Sequence, residues 1–162
     1  MRFFAGAPRI DVPVLLSLTH RKRYFMISLK DVAAAFLEFK QWPIFATPDP
    51  NMICTQFAGH NGQWNSFVQL HPEQPIAIVY SLFPIQCPTE KEAVLLELIA
   101  RCNSGLMIGN FEYDFDHREV RFKTSLNATH MSEKLEIFDS VFYYNFLAMD
   151  QFFPKFKALL TE

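Results

Sequence analysis

Glycine is scarce in this chain, 5 residues in 162, and the scarcity removes several chemistries at once. No Gly-rich loop is available to cradle phosphate with its backbone amides, and no Gly-x-Ser-x-Gly turn presents a nucleophilic serine. Cysteine is sparse too: Cys54, Cys87 and Cys102 are odd in number and spaced as neither a zinc site nor a Cys-x-x-Cys redox pair. Buried, inert thiols in a reducing cytoplasm are the expectation. The apolar run Val12–Leu18 falls far short of the ~20 residues a membrane span needs, and a basic cluster follows it where a signal peptide would have a small-residue cleavage site. With a formal net charge of −2, general nucleic-acid binding is not expected.

What the chain has is apolar and aromatic. Half the residues are hydrophobic, 18 are Phe, and only 20% are charged, more apolar surface than one small core needs. Charge is uneven. The first 27 residues carry Arg2, Arg9, Arg21, Lys22 and Arg23 against Asp11, a net +4, leaving −6 for the rest. Residues 1–27 read as a basic leader, either solvated or an anchor for an acidic surface, and Met26 is a candidate initiator. Residues 28–162 read as a single domain, with no repeat or linker dividing them.

Ser28 and Asp31 form a capping box for a first helix that buries Val32, Ala35, Phe36 and Phe39, and Pro43, Pro48 and Pro50 end it. Strands follow at Met52–Ala58 and Gln63–Leu70, joined through Asn61 and Gly62, whose dipeptide suits the positive φ of a tight turn. A third strand, 75–83, is apolar at both parities, as if covered on both faces. A second helix starts at Thr89 with Glu92 in the capping-box position and ends near Asn103 and Gly105, both suited to a left-handed cap. A last helix runs from Ser132 and is expected to bend or break ahead of Pro154. The order is helix, three strands, helix, two strands, helix: an α+β fold with an antiparallel five-stranded sheet packed with helices.

The segment Gly109–Ser125 alternates aromatic Phe111, Tyr113 and Phe115 with acidic Glu112, Asp114 and Asp116, then turns basic at Arg121 and Lys123. Pairing Phe115 with Val120 sets Tyr113 opposite Phe122, Asp114 opposite Arg121 and Glu112 opposite Lys123, across a turn at His117-Arg118. Carboxylates facing cations are the wet side of a hairpin, since acid–base catalysis needs them desolvated or crowded. The histidines His20, His60, His71, His117 and His130 are irregularly placed; a zinc site from Cys54, His60 and His71 is conceivable across a hairpin but not expected. Trp64 either plugs the edge of the core or stacks on a ligand, and Asn103 caps a helix or ties down the loop before Gly109.

The last helix is apolar nearly all round. One stripe holds Leu135, Phe138, Phe142, Phe146, Met149 and Phe153; another holds Ile137, Val141, Tyr144, Ala148 and Phe152. Two covered sides are hard to arrange in one small chain. Phe138, Val141, Phe142, Tyr144, Phe146, Met149, Phe152 and Phe153 are therefore candidates for a homodimer seam or a protein-binding groove, unless the leader and first helix cover the second stripe.

The strand ending in Tyr80-Ser81, the Pro88-initiated helix closing at Asn103, "GNFE" at Gly109–Glu112, "EVRFKTS" at Glu119–Ser125 and "MDQFFP" at Met149–Pro154 together resemble the YbjN-like family of bacterial proteins. The resemblance implies a type III secretion chaperone-like fold and a role in sensory-transduction regulation, and it carries no catalytic residues. The His117-Arg118 tip departs from the Asp-Gly-like tip of the family. The expectation is a cytoplasmic, non-enzymatic protein without cofactor or metal, homodimeric, acting by binding a protein client. The rival expectation is a binder of a small hydrophobic molecule in a Phe-lined cavity.

Overall fold

The computed structural model describes residues 28–129 and 137–161. Ser28 caps helix α1 (Leu29–Phe39): its hydroxyl accepts from the Asp31 amide at 3.1 Å while the Asp31 carboxylate accepts from Ser28 in return. The buried side of α1 is Val32, Ala33, Phe36 and Leu37; Ala35 and Phe39 face solvent, so the stripe is rotated by about one residue from the expected one. The helix ends before the prolines act. Gln41 takes φ +59°, and the Trp42 amide reaches back to the Leu37 carbonyl at 2.9 Å, a left-handed stop usually given to Gly.

Strands β1 (Met52–Ala58), β2 (Gln63–Leu70), β3 (Ile76–Leu82), β4 (Asn110–Asp114) and β5 (Glu119–Asn127) form one antiparallel sheet in the order β1-β2-β3-β5-β4. Between β3 and β4 lie a single 3-10 turn (Thr89–Lys91) and helix α2 (Glu92–Asn103). Helix α3 (Ile137–Thr161) closes the described chain. The three helices cover one face of the sheet and share one core with it. The α+β order expected from the sequence is found across the described residues, while the leader and the expected helix start at Ser132 lie outside them.

Aromatic packing joins the layers. Phe36 of α1 stacks on Phe142 of α3 at 5.2 Å, Trp42 meets Phe57 of β1 edge-on at 4.6 Å, and Phe111 of β4 lies 4.8 Å from Phe156 of α3. Burying each such side chain contributes roughly 1.5–3 kcal/mol, which makes this face the main source of the fold's stability.

Several local expectations give way to a different geometry. The β1–β2 loop spans Gly59 to Gly62 without a positive φ at Asn61 or Gly62. Its glycines are needed for closeness: a Cβ on Gly59 would sit 2.1 Å from Asp150 Oδ1, and one on Gly62 would sit 2.2 Å from the Phe153 ring. Helix α2 lacks the capping box expected at Thr89 and Glu92, and neither Asn103 nor Gly105 adopts the left-handed region; Gly109 does, at φ +76°. Helix α3 is continuous through Pro154. Proline lacks the amide that would bond the carbonyl four residues back, and that carbonyl, of Asp150, instead accepts the Asn61 side-chain amide at 2.9 Å.

The β4–β5 hairpin is shifted by two residues from the expected pairing: Glu112 opposes Arg121, Tyr113 opposes Val120 and Asp114 opposes Glu119. The loop is consequently four residues, 115–118, with Arg118 at φ +53°. Phe115 therefore leaves the buried face for the loop and lies exposed against Tyr113, ring centroids 4.8 Å apart.

Candidate binding groove on the open face of the sheet

Helix α3 was the sequence's main candidate surface, and the structure turns most of it inward. Phe138, Val141, Phe142, Met149 and Phe153 are buried in the chain's own core, Phe146 and Phe152 are half-buried against it, and Tyr144 alone of the eight is exposed, at 39%. One helix can be apolar on two sides here because the sheet takes one side while α1 and α2 flank it. Tyr143 and Leu147, neither singled out from the sequence, join Tyr144 on the solvent side.

A buried polar spine runs beneath α3. Asn145, fully buried, donates its amide to the Val79 carbonyl at 2.9 Å, the Phe122 carbonyl at 3.2 Å and Thr124 Oγ1 at 3.1 Å. Its oxygen must then accept from Ser81 Oγ, at 2.5 Å. Ser81 in turn accepts from Trp64 Nε1 at 2.9 Å and from Ser66 Oγ at 2.7 Å. Trp64 is thus a core plug with its polar edge satisfied. Thr55, beside Ser66 across β1 and β2, is buried with no partner for its hydroxyl.

The opposite face of the sheet carries no helix among the described residues, and it holds a groove of about 490 Å³. Its floor comes from alternate residues of adjacent strands: Met52 and Cys54 of β1, Phe67 of β2, Tyr80 and Leu82 of β3. The segment 45–48 folds along the β1 edge as a wall, anchored by the Phe45 amide on the Cys54 carbonyl at 2.9 Å. Strand β3, expected to be covered on both faces, is buried at Ala77, Val79 and Ser81 on the helix side and half-buried at Ile76, Ile78, Tyr80 and Leu82 on the other. Tyr80 and Leu82 of this second parity are groove floor, and that was the sequence signal for this site.

At the β5 end the lining turns ionic, with Asp114, His117, Glu119 and Arg121. Arg121 bonds Glu112 at 3.1 Å and Asp114 at 3.2 Å, and its guanidinium lies 4.8 Å over the Tyr80 ring. Lys123 bonds Glu112 at 2.5 Å. Burial alone would raise both carboxyls, but hydrogen bonds from Lys123, Asn110 and Arg121 hold Glu112 below its ordinary value. Asp114 is held low against the same burial by the His117 amide and ring and by the Arg121 charge. These carboxylates stay ionised and paired, the opposite of a general acid.

The thiols are equally unsuited to attack. Burial pushes Cys54 up to about 11 and raises Cys87 and Cys102. Beside Cys87, burial and the bond to Glu92 at 3.1 Å push the Tyr113 hydroxyl up to about 12. Among the described residues no cluster of His, Cys, Asp and Glu could hold a metal ion, the Cys54, His60 and His71 combination included, and no helix is long and apolar enough to cross a membrane. Asn103 does what the sequence suggested: its side chain takes the Phe111 amide at 2.7 Å and returns a bond to the Phe111 carbonyl at 3.0 Å. That seals the outer edge of β4.

No family model matches the chain, and no curated protein matches it in sequence. Among solved structures it is similar to a chain of the crystal structure of the ExsC–ExsE complex, with a TM-score of 0.47 and 12% identity, over 76% of this chain and 89% of that one. A likeness at this level assigns neither family nor activity.

Proposed function

We propose that this is a non-enzymatic, chaperone-like protein of YbjN-like type that works by binding another polypeptide across the open face of its sheet. The observation that carries the proposal is the groove itself: an apolar floor spanning adjacent strands, left uncovered by the described helices, with side-chain amides of Gln56, Asn65 and Gln69 along it. Apolar floor with a few polar groups is what an extended segment requires, the first for affinity and the second for its backbone. The paired carboxylates and raised thiols favour binding over catalysis. Action in the cytoplasm and assembly as a homodimer through the outer side of α3, at Tyr143, Tyr144 and Leu147, belong to the same proposal.

The small-ligand reading has less behind it, because the phenylalanines that motivated it are mostly core; among the described residues only Phe45 and Phe67 line the groove. The test uses reduced, carboxymethylated lactalbumin, a permanently unfolded polypeptide. The protein should bind it, and Leu82→Glu, which places a charge on the groove floor, should abolish binding with the urea midpoint little changed. No binding by the wild type, or equal binding by the variant, contradicts the proposal.

A further inference from the structure

The ionic end of the groove indicates what kind of segment fits, an inference that rests on the protein-binding reading above. From Met52 on β1 to Glu119 on β5 the lining crosses four neighbouring strands, with Asp114 of β4 beyond them. At about 4.8 Å per strand step this is roughly 14 Å, or four to five residues of extended chain. The two ends differ in character. Phe45 and Met52 make the β1 end apolar, whereas the β5 end carries Glu119, whose backbone opposes that of Asp114 across the hairpin.

The protein's own cations engage Asp114, which pairs with Arg121 at 3.2 Å and with the His117 ring at 3.1 Å, but not Glu119. Arg121 is divided between Glu112 and Asp114 and held over Tyr80, and Lys123 is engaged by Glu112. With Glu112 held by Arg121 and Lys123, and Asp114 by Arg121 and His117, Glu119 is an unpaired carboxylate among the described residues, set at the edge of an apolar floor where water screens it less than at an open surface.

We infer that the groove takes an extended segment of a partner protein that lays apolar side chains across β1, β2 and β3 and sets a Lys or Arg side chain against Glu119. The incoming cation pairs with the Glu119 carboxylate, and its alternate apolar neighbours fall on the floor residues Phe67 and Leu82. A partner of this chemistry is selected by order as well as composition: apolar residues toward β1, the basic residue toward β5.

Short random peptides displayed on phage and selected against the full-length protein test this directly. Recovered peptides should share a Lys or Arg beside alternating apolar residues, and changing that residue to Glu should weaken binding by about tenfold or more, as losing a charge-assisted contact does. Glu119→Lys should reverse the preference, favouring the Glu peptide over the Lys peptide. Peptides that bind and are lost on Leu82→Glu, yet share no basic residue or keep the same preference on Glu119→Lys, overturn the inference and leave the groove reading standing. Recovery of no peptide sensitive to Leu82→Glu contradicts both.

Discussion

Asn145 sits with every polar atom engaged in a core otherwise made of aromatic and aliphatic side chains. Its amide joins α3 to two strands and, through Ser81, to Trp64 and Ser66. Replacing it by Leu strands the Ser81 hydroxyl and removes three bonds, so Asn145→Leu should destabilise the protein by about 2–3 kcal/mol in urea unfolding. Thr55 is the opposite case. Its hydroxyl is buried and unpartnered, and Thr55→Val should stabilise by roughly 1 kcal/mol in the same measurement. The spine could not be read from the sequence, because one Asn within "YYNFLAM" does not announce which way it faces. Asn103 could, since it closes a helix and its partner Phe111 begins the strand just after the following loop.

The Glu112 and Asp114 carboxyls titrate below their ordinary values of 4.5 and 3.8 in the folded chain. A depressed folded value means stability that is present above the unfolded value and lost as pH falls through the folded one. Stability should therefore fall on acidification from just above pH 4.5 downward. Glu112→Gln, measured by urea unfolding across this range, should flatten part of that fall. An unchanged slope would show that the pairs with Arg121 and Lys123 add nothing.

At the level of elements, the β1–β2 loop and α3 depend on one another. Pro154 frees the Asp150 carbonyl, Asn61 takes it, and the Asp150 carboxylate accepts the Asn61 amide at 2.8 Å. Asn61→Ala should cost about 1 kcal/mol, and less in a Pro154→Ala background, where the restored helix bond reclaims the carbonyl. Gly109→Ala should cost more than an ordinary helix or loop glycine, because φ is +76° and a Cβ would lie 2.6 Å from Phe122 and 2.7 Å from the Lys123 carbonyl. The order and approximate bounds of the elements were legible from hydrophobic period and breakers. The β4–β5 register was not, for a definite reason: a shift of two residues leaves every side chain on its own face, so alternation cannot distinguish the two pairings. The same limit hid the Gln41 stop, since nothing in the type of the residue demands a positive φ.

For the whole molecule, apolar excess in the sequence pointed to α3 as a surface, and most of the residues it named pack into the chain's own core. Amphipathic period shows how many faces of α3 are apolar and not which neighbour covers them, and the described chain covers most of it with its own sheet and flanking helices. The doubly apolar β3 carried the usable signal. If α3's outer side joins two copies, light scattering should give a dimer and Leu147→Glu a folded monomer, because Leu147 lies outside the core; a monomeric wild type would end that part of the proposal.

The central claim, that the sheet face left uncovered by the described helices binds polypeptide, is tested most directly by photo-crosslinking. A benzoylphenylalanine would replace Leu82 in the groove in one protein and the exposed Lys157 on α3 in another, with the linked peptides sequenced after irradiation in cells. The account predicts that residue 82 joins a defined segment of another protein while residue 157 does not. Adducts confined to the chain itself, or the same partners in the same yield from both positions, would contradict it.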